Sequence, residues 1–405
     1  MLHRLYFSPG MFGFGRLASY DYFGHLERAL CERLRAGGEQ VDAHVLQVSP
    51  TASIRRRAAR LAELVASTCD ADGVESGPVH LIGHSTGGLD ARLVASPRAS
   101  LGVAPAVLSW RRRLASITTI NTPHFGTPLA SFFTTVSGAR ALRALSALTV
   151  TALTVGSLPL GTLSALLAAF SRVDRAFGLD LAMLDRATDR FLQMLDGARS
   201  SEVREYVDAI ENDQGAMVQL MPEAMDLFAA GIEDCPGILC QSTASMAPPP
   251  HPRMLLPALA RPWEVRPWNL LNAAIFSILH RITARCDPHY PCCGSPVSED
   301  CERMLRVLGR NPRPGDNDGV VPLRSQLWGK LIWVGYGDHL DVLGHFPDRT
   351  SRLWRFREHE ASSRSPPHVD WLYSGSGFDQ SRFASLVDAV AAGLVSSSRS
   401  ITVAA

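Results

Sequence analysis

The hydrophobic residues of the chain fall into short continuous runs that alternate with longer segments of helical periodicity. Segments such as 24–35 and 57–67 carry apolar residues on one helical face and charged residues on the other. Runs typical of buried strands occupy residues 2–7, 41–48, 79–82, 116–120, 237–241 and 331–334. This alternation predicts βαβ units and an α/β fold with a mostly parallel central sheet flanked by helices.

A long insertion separates the predicted strand ending at Ile120 from the one starting at Gly237. Its centre, residues 144–170, contains no charged residue, but glycine and proline interrupt it. We therefore predict that this insertion forms a helical apolar cap or lid over the functional site of the protein. A buried core segment and a membrane span are the alternatives. A second insertion, from about Ala247 to Arg285, is rich in proline and aromatic residues, and we expect it to complete the cap.

The pattern divides the chain into five segments. They are a first part of the core (residues 1–130), the helical cap or lid (131–208), a return to the core (209–246), the second cap insertion (247–286) and a C-terminal part of the core (287–405). A closing helix is predicted around residues 386–394.

The residues Gly83–Gly87, with the sequence GHSTG, stand between a predicted strand and a predicted helix. A serine at such a turn takes a strained backbone conformation, and glycines two residues to either side leave room for the neighbouring chain. The next backbone N–H then lies at a helix N-terminus, where it stabilises an anionic intermediate. The pattern predicts that Ser85 is a nucleophile.

A serine hydroxyl is a weak nucleophile at neutral pH, so a histidine must accept its proton and an acid must orient that histidine. At a serine turn of this kind the acid follows in the chain, and the histidine follows the acid. This order excludes His84 and makes His124 a structural loop residue. We predict Asp318 as the acid, with Asp316 as the alternative, and His339 after the last predicted strand as the base.

The predicted intermediate also needs an oxyanion hole, whose second N–H comes from the loop after an early strand. Here that loop is residues 8–15, SPGMFGFG, and its glycines let the backbone turn toward the site. We assign the two donors to the backbone N–H groups of Met11 and Thr86. Each such donor contributes roughly 3–4 kcal/mol to stabilisation of the transition state.

Composition narrows the function classes. The 405 residues carry a formal net charge of +1 at pH 7. This balance lacks the excess of positive charge that is typical of a nucleic-acid-binding protein. The arginine clusters 55–57 and 111–113 are interpreted as solvated helix and loop faces. Residues 1–7 enter a predicted strand without a long apolar stretch or cleavage site, so we expect a cytoplasmic protein by default, with export by an unrecognised route left open.

Four of the eight cysteines crowd into one segment with His289: Cys286, Cys292, Cys293 and Cys301. Their spacing fits no zinc-site pattern well. Free thiols are favoured in a cytoplasmic chain, while one or two disulfides and a structural metal stay open.

Four motifs carry a family resemblance: residues 83–88 (GHSTGG), 120–126 (INTPHFG), 317–321 (NDGVV) and 339–341 (HLD). Together they resemble the α/β-hydrolases of the bacterial triacylglycerol lipase type. In that family the serine, the aspartate of the Asn-Asp-Gly turn and the histidine of His-Leu-Asp form the catalytic triad, which gives the same assignment. The resemblance also implies a mobile apolar lid that works at a lipid surface.

The chain departs from this family at residues 8–10, where Ser-Pro-Gly takes the place of a His-Gly pair, although the N–H of Met11 remains available. Some relatives hold calcium between the aspartate of His-Leu-Asp and an earlier Asp-Pro pair. Asp341 matches the first and Asp287 matches the second at a longer spacing. Because calcium takes six or more oxygen ligands, two candidates do not define a site, and we expect no required cofactor.

These features predict a serine hydrolase that cleaves carboxylic esters of lipids, with lipase ahead of general esterase because an apolar cap favours longer acyl chains. Its partners are then a lipid or small-molecule ester and, through the cap, a lipid interface. Neither nucleic acid nor a stable protein partner is expected. Two alternatives are an acyltransferase with the same triad and a catalytically silent lipid-binding module, which the altered oxyanion loop favours.

Overall fold

The computed structural model describes residues 1–11, 16–17, 20–49, 51–69, 77–142, 213, 215–251, 267–347 and 370–404. Its centre is a parallel sheet of six strands, namely β1 (Leu2–Ser8), β4 (Gln40–Val45), β5 (Val79–His84), β6 (Leu114–Ile120), β7 (Leu239–Met246) and β8 (Lys330–Tyr336). The strand order is β4-β1-β5-β6-β7-β8. A separate antiparallel pair, β2 (Arg16–Leu17) and β3 (Tyr20–Asp21), follows the first strand.

Helices cover the sheet and its carboxyl edge. They are α1 (Gly24–Ala36), α2 (Ile54–Cys69), α3 (Thr86–Ala95), α4 (Pro128–Phe133), α5 (Gly215–Gln219), α6 (Pro222–Gly231), α7 (Pro267–Thr283), α8 (Ser298–Leu308) and α9 (Gln380–Ala404). Short 3-10 helices occupy Pro105–Arg113, Pro291–Cys293, Leu323–Gln326 and Asp341–Leu343.

Apolar side chains pack on both faces of the sheet, which is why its strands are continuous hydrophobic runs. On one face, α1 and α9 bury residues such as Leu26 and Leu386 against the sheet. On the other face, α2 and α3 bury Leu61 and Val94 against the sheet. The α/β fold class is confirmed, and each predicted strand is present.

The bounds of β7 differ most from expectation, since the strand was placed at 237–241 and runs over Leu239–Met246. The middle of this strand, Gln241–Thr243, is polar in sequence, yet Ser242 and Thr243 are fully buried. Two of these polar side chains have partners: the Ser242 hydroxyl accepts from the Trp328 N–H at 3.2 Å, and the amide of Gln241 donates to the Thr118 hydroxyl at 2.7 Å. Hydrophobic patterning misses a strand whose buried side chains are paired with one another.

Most of the predicted lid, residues 143–212, and residues 252–266 of the second insertion lie outside the described residues. The second insertion contributes α7, which the pattern had not specified. Within the part of the chain that the structure describes, no helix is long and apolar enough to cross a membrane.

Two expectations about side chains need correction. Arg57 was assigned to a solvated face but is 0% exposed, because it forms an ion pair with the equally buried Asp90. The free-thiol interpretation is wrong for Cys286 and Cys293, which form a disulfide, whereas Cys292 and Cys301 are free.

Candidate active site

Ser85 lies at the turn between β5 and α3 with φ 55° and ψ −128°, in the left-handed half of conformational space. Its N–H donates to the Ile120 carbonyl at 2.9 Å, which fixes the turn against β6. The flanking glycines are required by contact: a Cβ on Gly83 would overlap the backbone of Gly87, and one on Gly87 would overlap that of Ser8. The Ser85 side chain therefore projects from a tightly packed junction at the carboxyl edge of the sheet.

The loop after β1 lies directly against this serine. A Cβ on Gly10 would stand 2.7 Å from Ser85 Cβ, so Gly10 is in contact with the predicted nucleophile. Met11 is the next residue and is half-buried, while Thr86 begins α3 immediately after Ser85. Thr86 therefore follows the serine directly in sequence, and Met11 follows the glycine that is in contact with it.

Asp318 and His339 form a buried hydrogen-bonded pair. His339 Nδ1 lies 2.7 Å from Asp318 Oδ2, and the His339 backbone N–H donates to the Asp318 carbonyl at 2.9 Å. The exposed fraction is 0% for Asp318 and 6% for His339. An acceptor carboxylate at Nδ1 places the ring hydrogen there and leaves Nε2 as an acceptor.

The three predicted triad residues follow β5, β7 and β8 at the carboxyl edge of the sheet. The loop of His339 is joined to the serine turn, because His84 Nε2 lies 2.8 Å from the His339 carbonyl oxygen. Among the described residues, no hydrogen bond joins the Ser85 hydroxyl itself to His339. Catalytic hydrogen bonds of this kind are often long before substrate binds.

The alternative acid Asp316 and the loop histidine His124 contact other residues. Asp316, the alternative acid, accepts from both terminal nitrogens of Arg310 at 2.7 Å and does not bond His339. His124 is fully buried, stacks on Trp328 and hydrogen-bonds Arg92. Burial lowers the pKa of His124 well below its usual range, as does the positive charge of Arg92.

Asn121 is a site residue that the sequence reasoning did not assign. Its amide nitrogen donates to Asp318 Oδ2 at 2.9 Å and to Ser245 Oγ at 2.6 Å. Its φ is 48°, a conformation that asparagine tolerates better than most residues. The signal is its position at the end of a predicted strand in the stretch INTPHFG, one of the motifs that carry the family resemblance.

A buried ion pair supports the loop that carries Met11, a predicted oxyanion donor. Arg57 Nη2 lies 2.8 Å from Asp90 Oδ2 and also donates to the Pro9 carbonyl. The Ser8 hydroxyl donates to the same Asp90 oxygen at 2.7 Å. Burial raises the pKa of Asp90, while the Arg57 charge opposes that rise. The Ser-Pro-Gly sequence is therefore anchored through both its hydroxyl and its backbone.

Helix α7 supports the turn that carries Asp318. Thr283 Oγ1 donates to the Gly319 carbonyl at 3.2 Å, and the Asn317 amide donates to the His280 carbonyl at 3.3 Å. A Cβ on Gly319 would lie 2.9 Å from the Phe276 ring, so the turn and the helix are in close contact.

The two candidate calcium ligands, Asp341 and Asp287, have different partners in the structure. Asp341 accepts from the Asp338 N–H and from Ser376 Oγ, whereas Asp287 is exposed and bonds His289. Burial raises the pKa of Asp341 and, to about 6, that of Asp338. Within the described residues, no group of three or more His, Cys, Asp or Glu side chains is arranged to hold a metal ion.

The chain is similar to a triacylglycerol lipase of Vibrio cholerae, with 38% identity over 121 residues. The match covers 30% of this chain and 32% of that protein, so it spans about a third of the length of the curated relative. No family model matches the chain.

Solved structures of bacterial lipases and esterases are also similar. The lipase of Staphylococcus hyicus has 16% sequence identity and a TM-score of 0.44, covering 84% of this chain and 88% of that one. EstA of Clostridium botulinum has 16% identity and a TM-score of 0.45, covering 95% of this chain and 87% of that one.

Proposed function

We propose that this protein is a serine hydrolase of carboxylic esters, built on the α/β-hydrolase fold, with Ser85 as nucleophile, His339 as base and Asp318 as orienting acid. The observation that carries the proposal is the 2.7 Å contact of His339 Nδ1 with Asp318 Oδ2 beside the left-handed serine turn. The sequence similarity to a triacylglycerol lipase supports the same reaction class.

In this mechanism His339 Nε2 accepts the proton of Ser85 Oγ as that oxygen attacks the ester carbonyl carbon. The tetrahedral oxyanion receives hydrogen bonds from the N–H groups of Met11 and Thr86, of which the second also has the positive end of the α3 dipole behind it. The imidazolium then gives its proton to the leaving alcohol, and water hydrolyses the acyl-enzyme by the same steps.

Asp318 suits the role of orienting acid because its carboxylate is surrounded by donors. Val320 N–H and Val321 N–H donate to Oδ1 at 2.9 and 2.7 Å, while Asn121 and His339 donate to Oδ2. An ionised carboxylate accepts and cannot donate, so these four hydrogen bonds match its charged form. That form stabilises the imidazolium as it develops.

We further propose that the substrates are lipid esters, met at a lipid interface through the charge-free segment 144–170. An apolar cover over the site would favour long acyl chains by burying their methylene groups, at roughly 0.8 kcal/mol each. The proposed reaction uses no organic cofactor and no metal ion.

The test is hydrolysis of p-nitrophenyl esters from acetate to palmitate, below and above the concentration at which each ester aggregates. Wild type is compared with Ser85→Ala and with Ser67→Ala, which removes a surface hydroxyl of α2. Covalent labelling by an organophosphonate is measured on the same three proteins.

We expect turnover and labelling in wild type and Ser67→Ala, and neither in Ser85→Ala. Turnover that rises with chain length and increases at the interface supports a lipase. Turnover limited to short soluble esters restricts the protein to an esterase. A wild type that neither hydrolyses these esters nor is labelled contradicts the proposal and favours a silent lipid-binding module.

A further inference from the structure

A buried histidine outside the proposed triad lies directly before the nucleophile. His84 is 0% exposed, and its ring centroid lies 4.6 Å from that of His339. Burial and the neighbouring His339 ring lower the pKa of His84 well below its usual range, so the side chain is neutral. A neutral imidazole has one N–H donor and one acceptor nitrogen.

The partners of His84 decide which nitrogen carries the hydrogen. Nε2 lies 2.8 Å from the His339 carbonyl oxygen, which can only accept, so Nε2 is the donor. Nδ1 must then accept, and it lies 2.6 Å from the Tyr22 hydroxyl. Burial raises the pKa of Tyr22, which keeps the phenol protonated and able to donate.

The same hydroxyl contacts the oxyanion loop. Gly10 N–H donates to Tyr22 Oη at 3.3 Å. A Cβ on Gly10 would stand 2.7 Å from this oxygen and 2.7 Å from Ser85 Cβ, so the Gly10 backbone touches both residues. The hydrogen bonds therefore run in one consistent direction, from Gly10 through Tyr22 and His84 to the His339 carbonyl.

We propose that Tyr22 and His84 are positioning residues that hold the oxyanion loop and the loop of the catalytic base in register on either side of Ser85. This inference rests on the proposed function and deepens it by adding two residues outside the triad and the oxyanion hole.

The sheet topology explains why such a bridge is needed. The oxyanion loop follows β1 and the base follows β8, and these strands are separated by β5, β6 and β7. No ladder hydrogen bonds can therefore align the two loops directly. His84 is the last residue of β5, the strand that carries the nucleophile. From this position its ring bonds the loop of the base directly and contacts the oxyanion loop through Tyr22. A displacement of about 1 Å between reacting groups is enough to lower a rate by about a hundredfold.

The first test compares Tyr22→Phe with Tyr6→Phe. Each substitution removes only a hydroxyl. Tyr6 lies in β1 and Tyr22 lies between β3 and α1, and both side chains are buried. The Tyr6 hydroxyl bonds Thr68 Oγ1 at 2.7 Å, on the helix α2 side of the sheet and away from Ser85. We expect Tyr22→Phe to lower kcat about tenfold to a hundredfold with KM unchanged. Tyr6→Phe should lower Tm comparably and leave kcat within about twofold of wild type.

The second test asks whether the hydrogen bonds, and not merely the volume of His84, matter. His84→Gln keeps one donor and one acceptor, whereas His84→Leu removes both. We expect His84→Gln to retain at least about ten times the kcat of His84→Leu at similar Tm. Equal kcat in these two variants overturns the proposal, as does a kcat of Tyr22→Phe that matches that of Tyr6→Phe.

Nitrogen NMR of 15N-histidine-labelled protein tests the bridge without substrate. We expect a protonated Nε2 and an unprotonated Nδ1 on His84 in wild type, and shifted ring signals of both His84 and His339 in Tyr22→Phe. The opposite tautomer, or unchanged His339 signals in Tyr22→Phe, overturns the bridge. A wild type without Ser85-dependent hydrolysis overturns the proposed function instead, and the NMR result still decides the bridge.

Discussion

Ser85 and Asn121 both hold left-handed backbone conformations, with φ of 55° and 48°. Such residues each cost about 1–3 kcal/mol, so packing around them must enforce the conformation. Here one projects a hydroxyl from the end of β5 and the other places an amide on Asp318 from the end of β6. At the scale of single residues, the site is built by side chains that the carboxyl ends of parallel strands point at one another.

The first prediction distinguishes the roles of Asp318 and Asp316, two carboxylates of the same turn. Asp318→Asn replaces the acceptor of His339 Nδ1–H by an amide that favours the other ring tautomer, so kcat should fall about 10³- to 10⁴-fold with little change in KM. Asp316→Asn alters the carboxylate that pairs with Arg310 and accepts from the Arg313 N–H, and it should keep kcat within about threefold of wild type. Steady-state ester hydrolysis measures both. Equal losses in the two variants would show that the acid is misassigned.

The second prediction concerns the amide that faces Asp318. Asn121→Ala removes a hydrogen bond to a charged acceptor, so kcat should fall about tenfold to a hundredfold. Ser245→Ala is the matched control, because Ser245 Oγ accepts the other N–H of the same amide without touching Asp318. Its kcat should stay within about threefold of wild type. A similar kcat in both variants contradicts a role of Asn121 in orienting the acid.

At the scale of elements, the ion pair of Arg57 with Asp90 joins α2 to α3 and both to the loop after β1. The charges are fully buried, so each depends on the other for compensation. Ser8 adds a hydroxyl donor to the same carboxylate. Two helices are thereby fixed against the loop that precedes Met11.

The third prediction follows from that burial. Arg57→Met leaves the Asp90 charge buried without its partner, and the free energy of unfolding should fall by about 3–5 kcal/mol. Arg56→Met, one residue earlier, removes an arginine whose side chain is 68% exposed and should change stability by less than about 1 kcal/mol. Urea denaturation of the three proteins measures the difference. A loss in Arg57→Met no larger than in Arg56→Met would mean that the buried pair does not stabilise the fold.

At the scale of the whole molecule, neutral histidines are buried throughout the core. His80 contacts His3, Ser116 and Ser398, groups that belong to β1, β6 and α9. Burial, together with the smaller effect of the neighbouring His3, lowers the pKa of His80 to about 3. Burial likewise lowers the pKa of His84 and His124 well below the usual range.

The fourth prediction is a loss of stability in acid. Below about pH 6.5 these histidines bind protons in the unfolded chain but not in the folded one, so the unfolded state gains protons and the free energy of unfolding falls. The contribution is complete above that pH, and for His80 the loss continues down to about pH 3. His80→Gln should therefore reduce the difference in unfolding free energy between about pH 7.5 and about pH 4.5.

The control for this pH dependence is His289→Gln, because the His289 side chain is 89% exposed. Its difference in stability between the two pH values should match that of wild type. Denaturant titrations at both pH values provide the numbers. If His80→Gln also matches wild type, the buried histidine pair is not a source of acid instability.

The sequence by itself determined the alternation of strands and helices and the turn at Ser85. Those features are local: an apolar run, a glycine pattern and a turn are each specified by neighbouring residues. The pairing of Asp318 with His339 could also be anticipated, because both follow strands of one parallel sheet. Asp316 instead forms an ion pair with Arg310, six positions earlier in the chain.

Only the tertiary structure decided which polar residues are buried and whom they contact. Arg57 looks like its exposed neighbour Arg56 in sequence, and the difference arises from Asp90, 33 positions away. His84 was excluded as a base by chain order, yet its ring meets the His339 carbonyl, 255 positions away, across the sheet edge. The periodicity of apolar residues predicts which positions of a helix or strand face the core. It does not indicate which polar side chains are buried, because that depends on the hydrogen-bond or ion-pair partner that folding brings to each polar atom.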